Sequence, residues 1–147
     1  MKKLIVSVFP ILFLLSCKSG TADNKAPEMA NEMCDCFSGF QKDMSPDAIA
    51  LLKAVAESDS PRKTMQEGLT KMKPEESMPI IEKFKQVGDR SSSVNKCMQA
   101  FDDKHAKETT ADKNALLKKL RNVMKSKTDC QAGAAIINIG LEQQGVK

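Results

Sequence analysis

Tryptophan and tyrosine are absent from the 147 residues, and histidine occurs once, at His105. With only six phenylalanines left, the chain has few flat faces on which a sugar or a base can stack. No Gly-x-Ser-x-Gly, His-Glu-x-x-His or glycine-rich phosphate loop occurs, so the common hydrolase, metalloprotease and nucleotide signatures are excluded. Runs of strict two-residue apolar alternation are missing, as is any internal repeat, and both absences argue against a sheet or a solenoid. The carboxylate pairs Glu75-Glu76 and Asp102-Asp103 are sequence neighbours, which on a helix point to different faces and frame no acid/base pair. Enzymatic activity is therefore not expected. At the end of a helical run, His105 reads as a solvated cation rather than a base.

The longest apolar stretch, Leu4 to Leu15, is broken only by Ser7 and Pro10 and is preceded by Lys2 and Lys3. Spanning a bilayer takes about 20 apolar residues, and Lys18 comes too soon for that. A basic start, a short apolar run and a small residue at Ser16 instead describe a secretory signal covering residues 1–16. The run Leu14-Leu15-Ser16-Cys17 resembles the lipobox of bacterial lipoproteins. The resemblance implies cleavage before Cys17, diacylglycerol on its sulfur and a membrane as first partner. Two or three acyl chains, at about 0.8 kcal/mol per buried CH₂, hold far better than one. By the sorting rules of such lipoproteins, Lys18 and the lack of an acidic run after Cys17 point to the periplasmic face of the outer membrane.

Removing the first 16 of 147 residues leaves 131, enough for one domain with a real core. Without Lys2 and Lys3 the 23 basic residues fall to 21 against 19 acidic, so no nucleic-acid partner is indicated. Residues 17–26, with the polar run Lys18 to Ala26, read as the lipidated cysteine and a flexible tether, and residues 27–147 as a helical domain.

Apolar residues in that domain recur at steps of three and four. Helix one is expected from Pro27 to Asp43, with Met29, Met33, Cys36, Phe37 and Phe40 on one stripe. Ser45-Pro46 and Ser60-Pro61 are start signals for a second and a third, with Gly68 weakening the third by about 1 kcal/mol. Lys73 to Met78 reads as a turn or kink between two prolines. One long stripe then runs from Ile80 to Phe101, and another from Leu116 to Leu141 behind a cap at Thr110, with a bend near Lys127 to Asp129. The expected fold is all-α, a compact bundle of about four to five helices.

Four cysteines remain after Cys17: Cys34, Cys36, Cys97 and Cys130. An even number in an exported chain argues for two disulfides. Positions two apart on a helix diverge by about 200°, so Cys34 and Cys36 are expected not to bond each other. One should pair with Cys97 and the other with Cys130. Two alternatives use the same residues. Thiolates of Cys34 and Cys36 beside Met29 and Met33 suit Cu(I), and Cys34-Asp35-Cys36 could be a redox pair. The run Met33-Cys34-Asp35-Cys36-Phe37 also resembles small helical Bacteroidota-type lipoproteins, which implies no activity.

Between Lys113 and Lys127 lie six basic residues and no acid, beside Leu116, Leu120 and Val123. Such a helix is either a solvated outer face or a surface for anionic lipid or an acidic partner, and Glu28, Glu32 and Asp35 could complement it internally. The function so read is that of a membrane-anchored envelope lipoprotein, a non-catalytic interaction or structural module with a possible envelope protein partner. The alternative is a helical module binding a small ligand or Cu(I). Nothing in the sequence points to a cofactor.

Overall fold

A computed structural model describes residues 21–107 and 112–146, and within them every regular element is helical. The serine-proline pairs act as starts: α2 spans Pro46–Glu57 and α3 spans Pro61–Lys71, each with proline in its first turn, where the missing N–H has no intrahelical role. Ser45 Oγ accepts the Ala48 N–H at 3.2 Å, which satisfies an end of α2. Ser60 provides no such bond, and the start of α3 is instead met by Glu142, whose carboxylate accepts the Arg62 N–H at 3.2 Å from 80 residues away.

Three expected boundaries move. Helix α1 runs Thr21–Cys36, so Pro27 lies inside it and residues from Thr21 onward are helical rather than tether. The cause is burial: Ala26, 4% exposed, already belongs to the core. At the other end, α1 stops at Cys36 and Phe37 and Phe40 are buried by tight turns, in which Phe37 and Phe40 N–H groups reach the carbonyls three residues back at 2.9 Å. Residues Lys73 to Met78 are not a kink but the opening of α4, Pro74–Gly88. Pro74 takes the first turn, and Pro79 leaves only the Glu75 carbonyl, on an exposed turn, without its usual donor.

The long stripes are each cut in two, which raises the expected four to five helices to seven among the described residues. Behind α4 comes α5, Ser93–Lys104. Ser92 breaks the first stripe because its hydroxyl accepts the Asn95 N–H at 3.1 Å and donates to the Gln86 carbonyl at 2.6 Å, capping one helix while closing the other. The second stripe becomes α6, Lys113–Met124, a 3₁₀ turn at Thr128–Cys130, and α7, Gln131–Gln143. Asp112 caps α6, accepting the Ala115 N–H at 3.0 Å, whereas the expected cap Thr110 lies outside the described residues. Gln131 explains the interruption near Lys127: its Nε2 donates to the Lys125 and Lys127 carbonyls at 2.9 and 2.8 Å, satisfying backbone that the broken ladder leaves open.

Helix α7 is the hub. It carries eight buried residues, packs against α2, α3 and α6, and has a small-residue start, Ala132, Gly133, Ala134 and Ala135, that allows close approach. Helix α1 lies against α6 and α5, and α4 packs mainly on α5 and α2. A fully engaged core amide lies on α7: Asn138 Nδ2 donates to the Val55 and Ser58 carbonyls, both at 2.8 Å, and its Oδ1 accepts from Arg121 at 2.6 Å. One side chain thus ties the end of α2, α6 and α7 together.

Gly68, which looked like a weakness, receives the Leu51 side chain: a Cβ there would sit 2.2 Å from Leu51 Cδ1. Gly133 is tighter in consequence, because its Cβ would sit 2.8 Å from Cδ2 of the buried Phe37 ring as well as 2.4 Å from Met124 Cε. Met124 can turn away and the ring cannot. Gly133→Ala is therefore expected to lower stability by about 1–2 kcal/mol in urea unfolding, overpacking outweighing the better helix propensity of alanine. An unchanged or higher midpoint would contradict this packing.

Candidate functional site

Helix α1 presents its two cysteines to different neighbours. Cys34 is bonded to Cys130, at the start of α7, with Cα atoms 5.3 Å apart, and Cys36 is bonded to Cys97, on α5, with Cα atoms 5.6 Å apart. Their surroundings differ. Cys34 and Cys130 are 7% and 0% exposed, deep in the core among Met29, Met33 and Phe37. Cys36 and Cys97 are only partly buried and form one wall of an open cleft of about 300 Å³.

The other walls come from three elements. Asp35 and Gly39 flank the end of α1, Lys83 and Gln86 come from α4, and Ser93 and Val94 from α5. Lys83 is held over the site by its ammonium group: Nζ lies 6.0 Å from the Phe40 ring centroid and donates to the Gly39 carbonyl at 3.4 Å. The cleft therefore combines a disulfide, one cation and one carboxylate. With Cys34 and Cys36 in separate disulfides, the Cys34-Asp35-Cys36 run offers no thiolate for Cu(I) and is not itself a redox pair. Met29 and Met33 are core residues, 0% and 4% exposed. Among the described residues, no group of three or more histidines, cysteines or acids is arranged to hold a metal ion.

His105 is not a solvated cation. It is 7% exposed, lies 4.7 Å from the Phe101 ring, and its Nε2 donates to Glu32 Oε2 at 2.8 Å. Lys104 donates to the other carboxylate oxygen at 2.5 Å. Glu32, 73 residues away, supplies what a buried histidine needs, and that pairing overrides the tendency of a helix end to expose it. The bonds from His105 and then Lys104 hold the Glu32 carboxyl below its ordinary value near 4.5. The same contact removes Glu32 from the role of partner to the basic helix, while Glu28 and Asp35 are exposed.

The basic stretch is less uniform than its sequence. Arg121 turns inward to Asn138, and Lys127 donates to Asn31 on α1. Lys113 and Lys119 are exposed. A groove between α3 and α4, lined by Met65, Leu69, Ile80, Ile81 and Phe84, is apolar along almost its whole length, about 340 Å³. Met78, 48% exposed, lies on the same helix, α4. Cys17 and the rest of residues 1–20 lie outside the described residues. No described helix is long and apolar enough to cross a membrane.

Comparison with protein-family models, with curated proteins and with solved structures finds no match to the chain. What the fold and cysteines define is the class of disulfide-stapled all-α bundles.

A depressed carboxyl stabilises the fold above its unfolded value and ceases to do so as pH falls through its folded value. Glu32→Gln is accordingly expected to be less stable than the wild type at pH 7, with the gap narrowing once pH drops below about 4.5, the ordinary value for this group. Urea midpoints measured from pH 7 to pH 3 check this. A gap that stays constant over that range would contradict it.

Proposed function

We propose that the chain is a bacterial envelope lipoprotein, cleaved before Cys17 and lipid-anchored through it, whose helical domain is a non-catalytic interaction or structural module on the periplasmic face of the outer membrane. The observation that carries this reading is the pair of disulfides. Each spans a long stretch of chain, with separations of 96 and 61 residues, and such bonds persist in compartments beyond the cytoplasm. An amino-terminal signal delivers a chain to that compartment, and a cysteine directly after it is the residue that lipoprotein processing acylates.

The module reading draws on the surface. A largely apolar groove on α3 and α4 and a basic outer edge on α6 are the kinds of feature by which one envelope protein holds another. The single histidine is committed to Glu32, and the acids at Asp102 and Asp103 are exposed without a shared face. These residues serve structure and solubility rather than catalysis.

Cys17→Ser separates this proposal from a soluble exported or cytosolic domain. Cells fed an alkyne fatty-acid analogue are expected to label the wild-type chain and leave the Cys17→Ser chain unlabelled, uncleaved and outside the outer-membrane fraction. Equal labelling of both chains, or wild-type protein in the soluble fraction, would overturn it.

A further inference from the structure

We propose that the Cys36–Cys97 disulfide is a thiol–disulfide exchange site for a dithiol reductant, and that opening it loosens the α4–α5 hairpin while the Cys34–Cys130 bond keeps the remaining helices folded. Exchange needs a thiolate to reach a sulfur of the bond, so access decides which of two disulfides reacts. Cys36 and Cys97 line a cleft open to solvent, whereas Cys34 and Cys130 are sealed in the core. Lys83 lines the cleft as the cation that an approaching thiolate meets, and Asp35, which also lines it, works against it.

The chemistry balances with a dithiol. One of its thiolates attacks Sγ of Cys36 or Cys97, forming a mixed disulfide and expelling the other cysteine as a thiolate. The second thiol of the reductant, deprotonated, then attacks its own partner sulfur and releases the remaining cysteine. Two electrons and two protons pass to the protein, giving two thiols, and the reductant leaves as its disulfide.

The consequence follows from how lightly this hairpin is held. Helix α4 contributes one fully buried side chain, Ile80, and α5 contributes Val94 and Phe101, against eight buried residues on α7. Besides the disulfide, α5 is tied to α1 by Glu32 with Lys104 and His105, and α4 meets the core through Ile80 and through Phe84, 6.1 Å from Phe40. With the covalent tie gone, what remains is the ionic cluster, the Phe40–Phe84 contact, the Lys83–Gly39 hydrogen bond and the packing of three buried side chains, Ile80, Val94 and Phe101. Opening there uncovers Phe40 and Phe84 and releases the contact of α4 with α2, while the packing of α2 and α6 on α7 is kept, so redox state would control the exposure of an apolar surface.

The test uses the full chain purified in detergent. Dithiothreitol is added at pH 8, samples are quenched with iodoacetamide, and labelled cysteines are mapped by mass spectrometry alongside helical circular dichroism. Cys36 and Cys97 are expected to label at least tenfold faster than Cys34 and Cys130, with helicity retained, and amide exchange over residues 74–104 is expected to rise at least tenfold while that over residues 131–143 holds. Lys83→Glu should slow the first labelling several-fold and Asp35→Asn should speed it. Simultaneous labelling of all four cysteines, or labelling only as helicity is lost, would overturn the exchange site. Unchanged amide exchange over residues 74–104 after reduction would overturn the loosening.

Discussion

Two cysteines separated by one residue on a helix cannot look in the same direction. A turn of about 100° per residue sets Cys34 and Cys36 about 200° apart, and the rest of the structure is arranged around that divergence. Cys34 fastens α1 to the start of α7, the most buried helix, and Cys36 fastens it to α5 on the opposite side. In the chain-entropy account, closing loops of this length is worth about 4–5 kcal/mol each. For a core in which alanine is the commonest buried residue and tryptophan and tyrosine are lacking, that is a large share of a typical total stability of about 5–15 kcal/mol.

The junction divides the molecule unequally. On the Cys130 side, packing is close and side-chain amides bridge backbone and helices: Gly133 admits Phe37, Gln131 closes the end of α6, and Asn138 spans three elements. On the Cys97 side, burial is thinner and the ties include a disulfide, the Glu32 carboxylate with Lys104 and His105, and the Phe40–Phe84 contact. A chemically addressable bond thus sits where packing is least able to compensate for its loss. The tight half preserves the fold, and the loose half is the part able to respond to redox state or to acid.

Helical class was legible because burial on one face imposes three- and four-residue spacing, and serine before proline marks a start whether or not the serine makes its bond. Boundaries inside the long stripes were not legible. Ile80 and Phe84 on α4 and Val94 and Phe101 on α5 face the same core, so the apolar spacing runs through the Ser92 break without showing it. Burial of His105 depended on Glu32, and the value of Gly68 and Gly133 depended on Leu51 and Phe37, all distant in sequence. Divergence of Cys34 and Cys36 could be reasoned from helix geometry, but which partner each takes depends on the side of α1 that α7 occupies. Nothing in the spacing of a single helix carries that information. The cleft beside Cys36 was equally hidden, since Asp35, Lys83 and Ser93 come from three separate segments.

The most direct measurement is disulfide mapping of the oxidised protein without reduction, using a protease that cuts before aspartate so that Cys34 and Cys36 fall on different peptides. The account predicts one linked pair containing Cys34 and Cys130 and a second containing Cys36 and Cys97. A peptide pair joining Cys34 to Cys36, or Cys97 to Cys130, would contradict it, because neither bond leaves α1 as the junction between the two halves.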